Sequence, residues 1–124
     1  MEFLFAAHSG VRYLVLFSGV VALAWFVWGK AAVRPFTRPA STLLAVFMAV
    51  LDIQVLLGLA LLFGGRRPPG IWGHVALMLS AAVFVHVIKK RRPHPAGYGL
   101  PLLTVAVALV LILVGILSIS RPIL

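Results

Sequence analysis

Residues 3–28, FLFAAHSGVRYLVLFSGVVALAWFVW, form an apolar stretch that is long enough to cross a lipid bilayer as one helix. His8, Ser9 and Arg12 lie close to its start. A histidine and an arginine four residues apart lie on one face of a helix. Ionisable side chains inside a membrane span are costly and usually face a partner or a site. This stretch therefore predicts both a membrane helix and a polar site within it.

The composition of the whole chain also indicates a membrane protein. Of its 124 residues, 63% are hydrophobic and 10% are charged, whereas soluble domains carry about 25% charged residues. The formal net charge is +9. Because the basic residues fall between apolar runs, they indicate membrane topology and contact with anionic lipid rather than binding of nucleic acid. We expect no cleavable signal peptide, since Arg12 interrupts the first apolar run.

The absence of cysteine limits the chemistry that the chain can support. It excludes disulfides, thiolate ligation of haem, iron–sulfur clusters and cysteine-based zinc sites. The sequence also contains no recognisable nucleophile–base arrangement, phosphate-binding loop or carboxylate pair. We therefore expect no hydrolase or transferase machinery, and electron transfer is the most that the motifs suggest.

Four apolar runs, at about residues 3–28, 42–63, 71–88 and 102–118, are separated by short polar connections. They predict a single all-α membrane domain over residues 1–124, built as an up-down bundle of four transmembrane helices. The first and third connections carry most of the Lys and Arg residues, so the positive-inside rule places them in the cytoplasm and both termini on the outer, periplasmic side. The residues compared are Lys30, Arg34, Arg38, Lys89, Lys90, Arg91 and Arg92 on one side, and Arg66, Arg67 and Arg121 on the other.

His8 and His74 belong to the same, outer half of the predicted bundle, about 5–8 Å below the starts of their helices. The first and third helices of an up-down bundle can face each other across its centre. Two histidines at matched depth can then supply both axial ligands of one haem b. Arg12, Arg66 and Arg67 lie on the same side and can pair with the haem propionates. The pattern equally allows two interfacial histidines bonded to backbone or lipid headgroups, or a site for a quinone, another pigment or an ion.

Asp52 is the one charged residue of the second run, and Arg12 lies about 10 Å into the first. Each would be expensive without a partner in lipid, so we predict a buried Arg12–Asp52 ion pair. Such a pair can lock neighbouring helices together, form a proton or quinone site, or hold the haem ligand His8 in its tautomer. His86 lies about 18 Å beyond His74 and about 120° around the helix. We interpret it as an interfacial residue beside the basic cluster.

Several short motifs carry a resemblance to a known family. They are HSGVRY at residues 8–13, RPFT at residues 34–37, QVLLGL at residues 54–59, and His74 followed by Met78. With these motifs, the chain resembles a family of small four-helix bacterial membrane proteins that are labelled cytochrome b-like. The resemblance implies a multi-pass protein of the bacterial inner membrane and strengthens the expectation of haem b.

Two functions are therefore predicted. The first is a small membrane cytochrome that binds one haem b near the outer face and exchanges electrons with a quinol or a neighbouring redox subunit. The second is a non-catalytic accessory subunit of a larger respiratory or photosynthetic membrane complex. A small transporter that uses Asp52 as its ion site is a weaker third hypothesis, because no inverted repeat is evident.

Overall fold

The computed structural model describes residues 2–119, which form four helices and no strand. These are α1 (Glu2–Ala31), α2 (Arg38–Phe63), α3 (Ile71–Arg91) and α4 (Gly99–Leu117). Each helix is long and apolar enough to cross a membrane. The predicted all-helical, four-helix architecture is confirmed for the described residues. Arg121, which entered the comparison of charges, lies outside them.

All four helices extend beyond the apolar runs that predicted them, and α1 does so by continuing to Ala31. α2 begins at Arg38, with Pro39 in its first turn, where a proline needs no partner for the backbone N–H group that it lacks. α4 begins at Gly99 and has Pro101 in its first turn for the same reason. α3 continues through the basic residues to Arg91. Counting apolar residues measures only the part of a helix that suits hydrocarbon, so it underestimates helices that run on into a polar layer.

The four helices form a ring in which α1 and α3 lie diagonally opposite each other. α1 packs against α2 and α4, and α3 packs against the same two helices. A Cβ atom added at Gly19 in the middle of α1 would lie 2.6 Å from Leu109 Cδ2 and 2.9 Å from Phe47 Cε1. The absence of a side chain at Gly19 therefore allows α1 to approach both of its neighbours closely.

One end of the bundle is closed by aromatic side chains. We call it the aromatic end and define it by Trp25, Phe26, Phe36 and Tyr98, together with Ala96, whose backbone contacts Phe36. The ring centroids of Phe26, Phe36 and Tyr98 lie 5.2–5.6 Å apart. Trp25 Nε1 donates a hydrogen bond of 3.2 Å to the Tyr98 hydroxyl. The backbone N–H of Phe36 donates to the carbonyl of Ala96, which joins the first connection to the third. Phe26 is fully buried by this arrangement.

The outside of the bundle is apolar. Large hydrophobic side chains are more than half exposed on all four helices, and they include Phe17, Leu56, Val83, Leu103 and Val110. Such a surface suits hydrocarbon rather than water. The helices therefore indicate a lipid bilayer as the surroundings of this chain, which makes it a multi-pass membrane protein.

Candidate functional site

The opposite end of the bundle brings His8 and His74 together. His8 comes from α1 and His74 from α3, the two helices that face each other diagonally. Their ring centroids are 6.4 Å apart and their planes are perpendicular. We call this region the histidine end: His8, Gln54, Gly58, His74 and Gly115. It is the one place among residues 2–119 where two imidazole rings are in contact.

The orientation of His74 is set by the backbone of α4. His74 Nδ1 lies 2.8 Å from the carbonyl oxygen of Gly115. A carbonyl oxygen only accepts hydrogen bonds, so Nδ1 carries the proton and Nε2 keeps its lone pair. A backbone carbonyl that holds one ring nitrogen in this way is the usual support of a metal-binding histidine. The His74 ring is therefore prepared to act as a ligand through Nε2.

His8 fits against a glycine of α2. A Cβ atom added at Gly58 would lie 3.1 Å from His8 Cε1, which is closer than most contacts of real Cβ atoms. The missing side chain of Gly58 thus makes room for the imidazole ring. A glycine within an apolar helix indicates close packing, but the sequence does not show that His8 is the residue that packs against Gly58.

Two cavities share the His8–His74 pair in their walls. Both open to the outside of the bundle; the larger spans about 660 Å³ and the smaller about 460 Å³ when this open space is included. His8, Gln54, His74 and Met78 line both. The larger is otherwise walled mainly by α2 and α3 and the smaller by α1 and α4, so the imidazole pair stands between two spaces. Sites for small molecules and cofactors have a largely apolar lining of this kind.

Gln54 adds an unsatisfied polar group to both cavities. Its side chain is only 4% exposed. Its Oε1 atom has no hydrogen-bond donor among the described residues. A buried acceptor without a donor costs about 1–3 kcal/mol, so this position calls for a donor from water or from a bound molecule. No sequence pattern singled out this glutamine, because its burial depends on the packing of all four helices.

The three arginines that were predicted to accompany the histidines lie in different surroundings. Arg66 lines the larger cavity and its Cζ atom lies 3.6 Å from the centre of the Phe5 ring. Arg12 lines the smaller cavity and donates a hydrogen bond of 2.8 Å to the Tyr13 hydroxyl. Arg67 is exposed and lines neither cavity. Two of the three guanidinium groups are thus close to the histidine pair.

The predicted Arg12–Asp52 ion pair is wrong, because Asp52 pairs with His86 instead. His86 Nε2 lies 2.8 Å from both carboxylate oxygens of Asp52. Asp52 and Gln54 are two residues apart and therefore point about 200° apart around α2. Since Gln54 faces the interior of the bundle, Asp52 faces outward beside α3, away from Arg12. The interpretation of His86 as an interfacial residue also missed this partner.

The Asp52–His86 pair can be predicted by counting residues along α2 and α3 from the turn that joins them. Measured from that turn, Asp52 lies about 16 Å down α2 and His86 about 22 Å down α3. Side chains lean toward the N-terminus of their own helix, and the two helices run in opposite directions. The two side chains therefore lean toward each other, and this closes the remaining gap along the axis.

No group of three or more His, Asp or Glu side chains that could hold a bare metal ion occurs within residues 2–119. Two histidines are nevertheless enough for a haem, whose porphyrin supplies the other four ligands. Comparisons of the chain with family models, with curated proteins and with solved structures give no match. Its function is therefore argued from the geometry of the histidine end.

Proposed function

We propose that this chain is a small membrane cytochrome that binds one haem b between His8 and His74 and transfers electrons. The observation that carries the proposal is the meeting of two imidazoles from diagonal helices, with 6.4 Å between their centroids. The resemblance of the HSGVRY motif and of His74 to the cytochrome b-like family supports it from the sequence.

The residues present fit this group. Metal–nitrogen bonds to histidine are about 2 Å long, so two imidazoles that ligate one iron have centroids roughly 6 Å apart. The separation of His8 and His74 is close to that value. Two cavities share both rings in their walls, and a flat macrocycle held between the rings would extend into them. The Gly115 carbonyl already selects the tautomer of His74 that leaves Nε2 available.

Each neighbouring side chain has a defined task in this proposal. His8 and His74 would bind the iron, and Arg66 in the larger cavity or Arg12 in the smaller would supply a cationic partner for the propionates. The apolar walls exclude water, and low solvent access is one of the factors that set a haem potential. The haem, when bound, accepts and returns one electron at a time. The chain itself would hold the group in place through the two histidines.

The proposal includes an orientation in the membrane. The basic connections at the aromatic end favour the cytoplasmic side, which puts the histidine end and both termini at the outer side of a bacterial inner membrane. A single haem near one surface does not carry an electron across the bilayer alone. The proposal therefore includes an exchange partner, either a quinol or a neighbouring redox subunit.

The decisive experiment is a reduced-minus-oxidised visible spectrum of the purified protein, with a pyridine haemochrome assay for stoichiometry. We expect about one haem b per chain. His8→Ala and His74→Ala should each abolish the spectrum, because each removes an axial ligand. His94→Ala is the matched control, since His94 is an exposed histidine in the connection at the other end of the bundle. It should leave the haem content unchanged.

A helical circular dichroism spectrum must accompany each variant, so that loss of the ligand is distinguished from loss of the fold. A colourless protein that also takes up no added haemin would contradict the proposal. Recovery of that colourless protein in a larger membrane complex would then support the alternative function, a non-catalytic accessory subunit.

A further inference from the structure

The Asp52–His86 pair has no part in the proposed haem site. His86 Nε2 lies 2.8 Å from both carboxylate oxygens, so the two side chains are directly bonded. The side chain of His86 is 51% exposed and that of Asp52 is 39% exposed. Both residues lie within helices that are apolar enough to span a membrane. A polar pair is thus exposed on the lipid-facing surface of the bundle.

The surroundings of the pair are apolar. Ile53 and Leu56 are exposed next to it on α2, and Val83 and Val87 on α3. Ionisable side chains within membrane spans generally pair with each other, face the interior of a bundle or mark a binding site. This pair is already joined and yet faces outward. Whatever meets it must arrive through the lipid and must itself be largely apolar.

The depth of the pair suits a molecule with a polar head and a long tail. His86 lies only about 7 Å from the end of α3, and Lys89, Lys90 and Arg91 follow on the last turn. On α2 the next charged residue is Arg38 at its start, and α4 has no charged residue between Gly99 and Leu117. Asp52 lies about 21 Å from the start of α2, so the pair is within the hydrocarbon layer, where a ligand with an apolar tail reaches it from the lipid.

The chemistry of the pair selects the kind of headgroup. Asp52 offers carboxylate oxygens that accept hydrogen bonds, and His86 offers its second ring nitrogen, Nδ1. Each side chain already has the other as its partner, so the pair offers further hydrogen-bonding atoms rather than a lone charge. A neutral ring with hydroxyl or carbonyl groups matches this combination, because a hydroxyl can donate to the carboxylate or to Nδ1, and a carbonyl can accept from Nδ1 when that nitrogen carries a proton.

We propose that the Asp52–His86 pair is the headgroup site of a lipid-soluble quinone or hydroquinone. This inference deepens the proposed function. It rests on that function only where it identifies the quinone as the exchange partner of the haem. Gln54, which lines the cavities beside His8 and His74, is two residues from Asp52 along α2. A bound headgroup would therefore lie on the lipid-facing side of the α2 segment whose inner side borders the haem site.

Binding is tested directly in lipid nanodiscs that contain the full chain. The probe is a short-tailed benzoquinone or naphthoquinone that carries a photoreactive azido group. Labelling at increasing probe concentration gives an apparent Kd, and peptide mapping locates the label. We expect saturable labelling of α2 and α3 near residues 52 and 86. Asp52→Asn and His86→Phe should each weaken the apparent affinity at least tenfold.

Ser80→Ala is the matched control. Ser80 is an exposed polar residue of α3 whose hydroxyl donates to the carbonyl of Ala76 in its own helix. Its removal should leave the apparent Kd unchanged. Equal labelling of the chain and of both pair variants, or labelling that does not saturate, would overturn the inference. So would a change from dimer to monomer in Asp52→Asn without any specific labelling, because the pair would then be a contact between two copies of this chain.

The haem content of the same samples separates the two proposals. The pyridine haemochrome value should be the same in the unmodified chain, Asp52→Asn and His86→Phe, because neither residue is placed at the iron. Specific labelling without haem contradicts the proposed function and leaves the quinone site standing. Haem without specific labelling contradicts the quinone site alone.

Discussion

The two ends of the bundle are built in opposite ways. At the aromatic end, Phe26, Phe36 and Tyr98 fill the space between the helices. At the histidine end, two imidazoles stand between cavities, and a glutamine oxygen is buried without a donor. The aromatic end is filled by packed side chains, whereas the histidine end contains open space. The difference indicates that one end holds the helices in register while the other remains available for a ligand.

Truncating the aromatic end should have the largest effect on stability. Phe26→Ala removes a fully buried ring that contacts both Phe36 and Tyr98. We expect the free energy of unfolding to fall by about 3–5 kcal/mol. Unfolding in a denaturing detergent, followed by circular dichroism, measures this. The haem content below the transition should not change, and its loss there would mean that the two ends are not separate in their roles.

Replacing the buried glutamine at the histidine end should raise the stability of the haem-free chain. Gln54→Leu removes the acceptor that has no donor among the described residues, so the haem-free chain should gain about 1–3 kcal/mol of stability. The loaded chain should gain less, because a bound molecule or the water beside it satisfies the amide. Thermal melts of the two forms test this. Equal gains in both forms would show that ligand binding leaves Gln54 in the same state.

Filling the space at Gly58 should disturb His8. A Cβ atom there would lie 3.1 Å from His8 Cε1, so Gly58→Ala should displace the ring and weaken haem affinity about tenfold, or about 1.4 kcal/mol. Titration with haemin measures the change. Gly10→Ala is the matched control on α1, since a Cβ atom at Gly10 meets no atom within 4 Å. An equal loss in both variants would contradict the role given to Gly58.

The smallest effect is expected from the single hydrogen bond at the aromatic end. Tyr98→Phe keeps the ring but removes the hydroxyl that accepts from Trp25 Nε1. We expect a loss of about 0.5–1.5 kcal/mol in unfolding free energy. Trp fluorescence should shift as well, since the indole N–H loses its partner. A loss as large as that of Phe26→Ala would show that the hydrogen bond, rather than the packing, holds this end together.

The number of helices and the meeting of His8 with His74 could be expected from the sequence. Apolar runs separated by basic connections predict four spans, and matched depths on the first and third spans favour contact across an up-down bundle. These features depend only on length and spacing along each helix.

The partner of Asp52 could not be found in the same way. Depth alone made Arg12 and Asp52 plausible partners, but pairing also depends on the direction in which each side chain points. Asp52 faces outward because Gln54, two residues later, is taken into the interior. That choice depends on how the helices rotate against one another during packing, which an apolar pattern with little contrast between its faces does not specify.

The contact between His74 and the Gly115 carbonyl has an electrostatic consequence. Gly115 lies in the last turn of α4, and its carbonyl also accepts from the Ser118 hydroxyl. The last carbonyls of a helix have no partner within it and carry a partial negative charge of about half an electron. This negative pole of α4 is met at the histidine end by the positive poles of α1 and α3, since both of those helices begin there. A group bound between His8 and His74 would therefore lie among helix poles of both signs, with the Gly115 carbonyl acting on it only through the proton that it holds on His74 Nδ1.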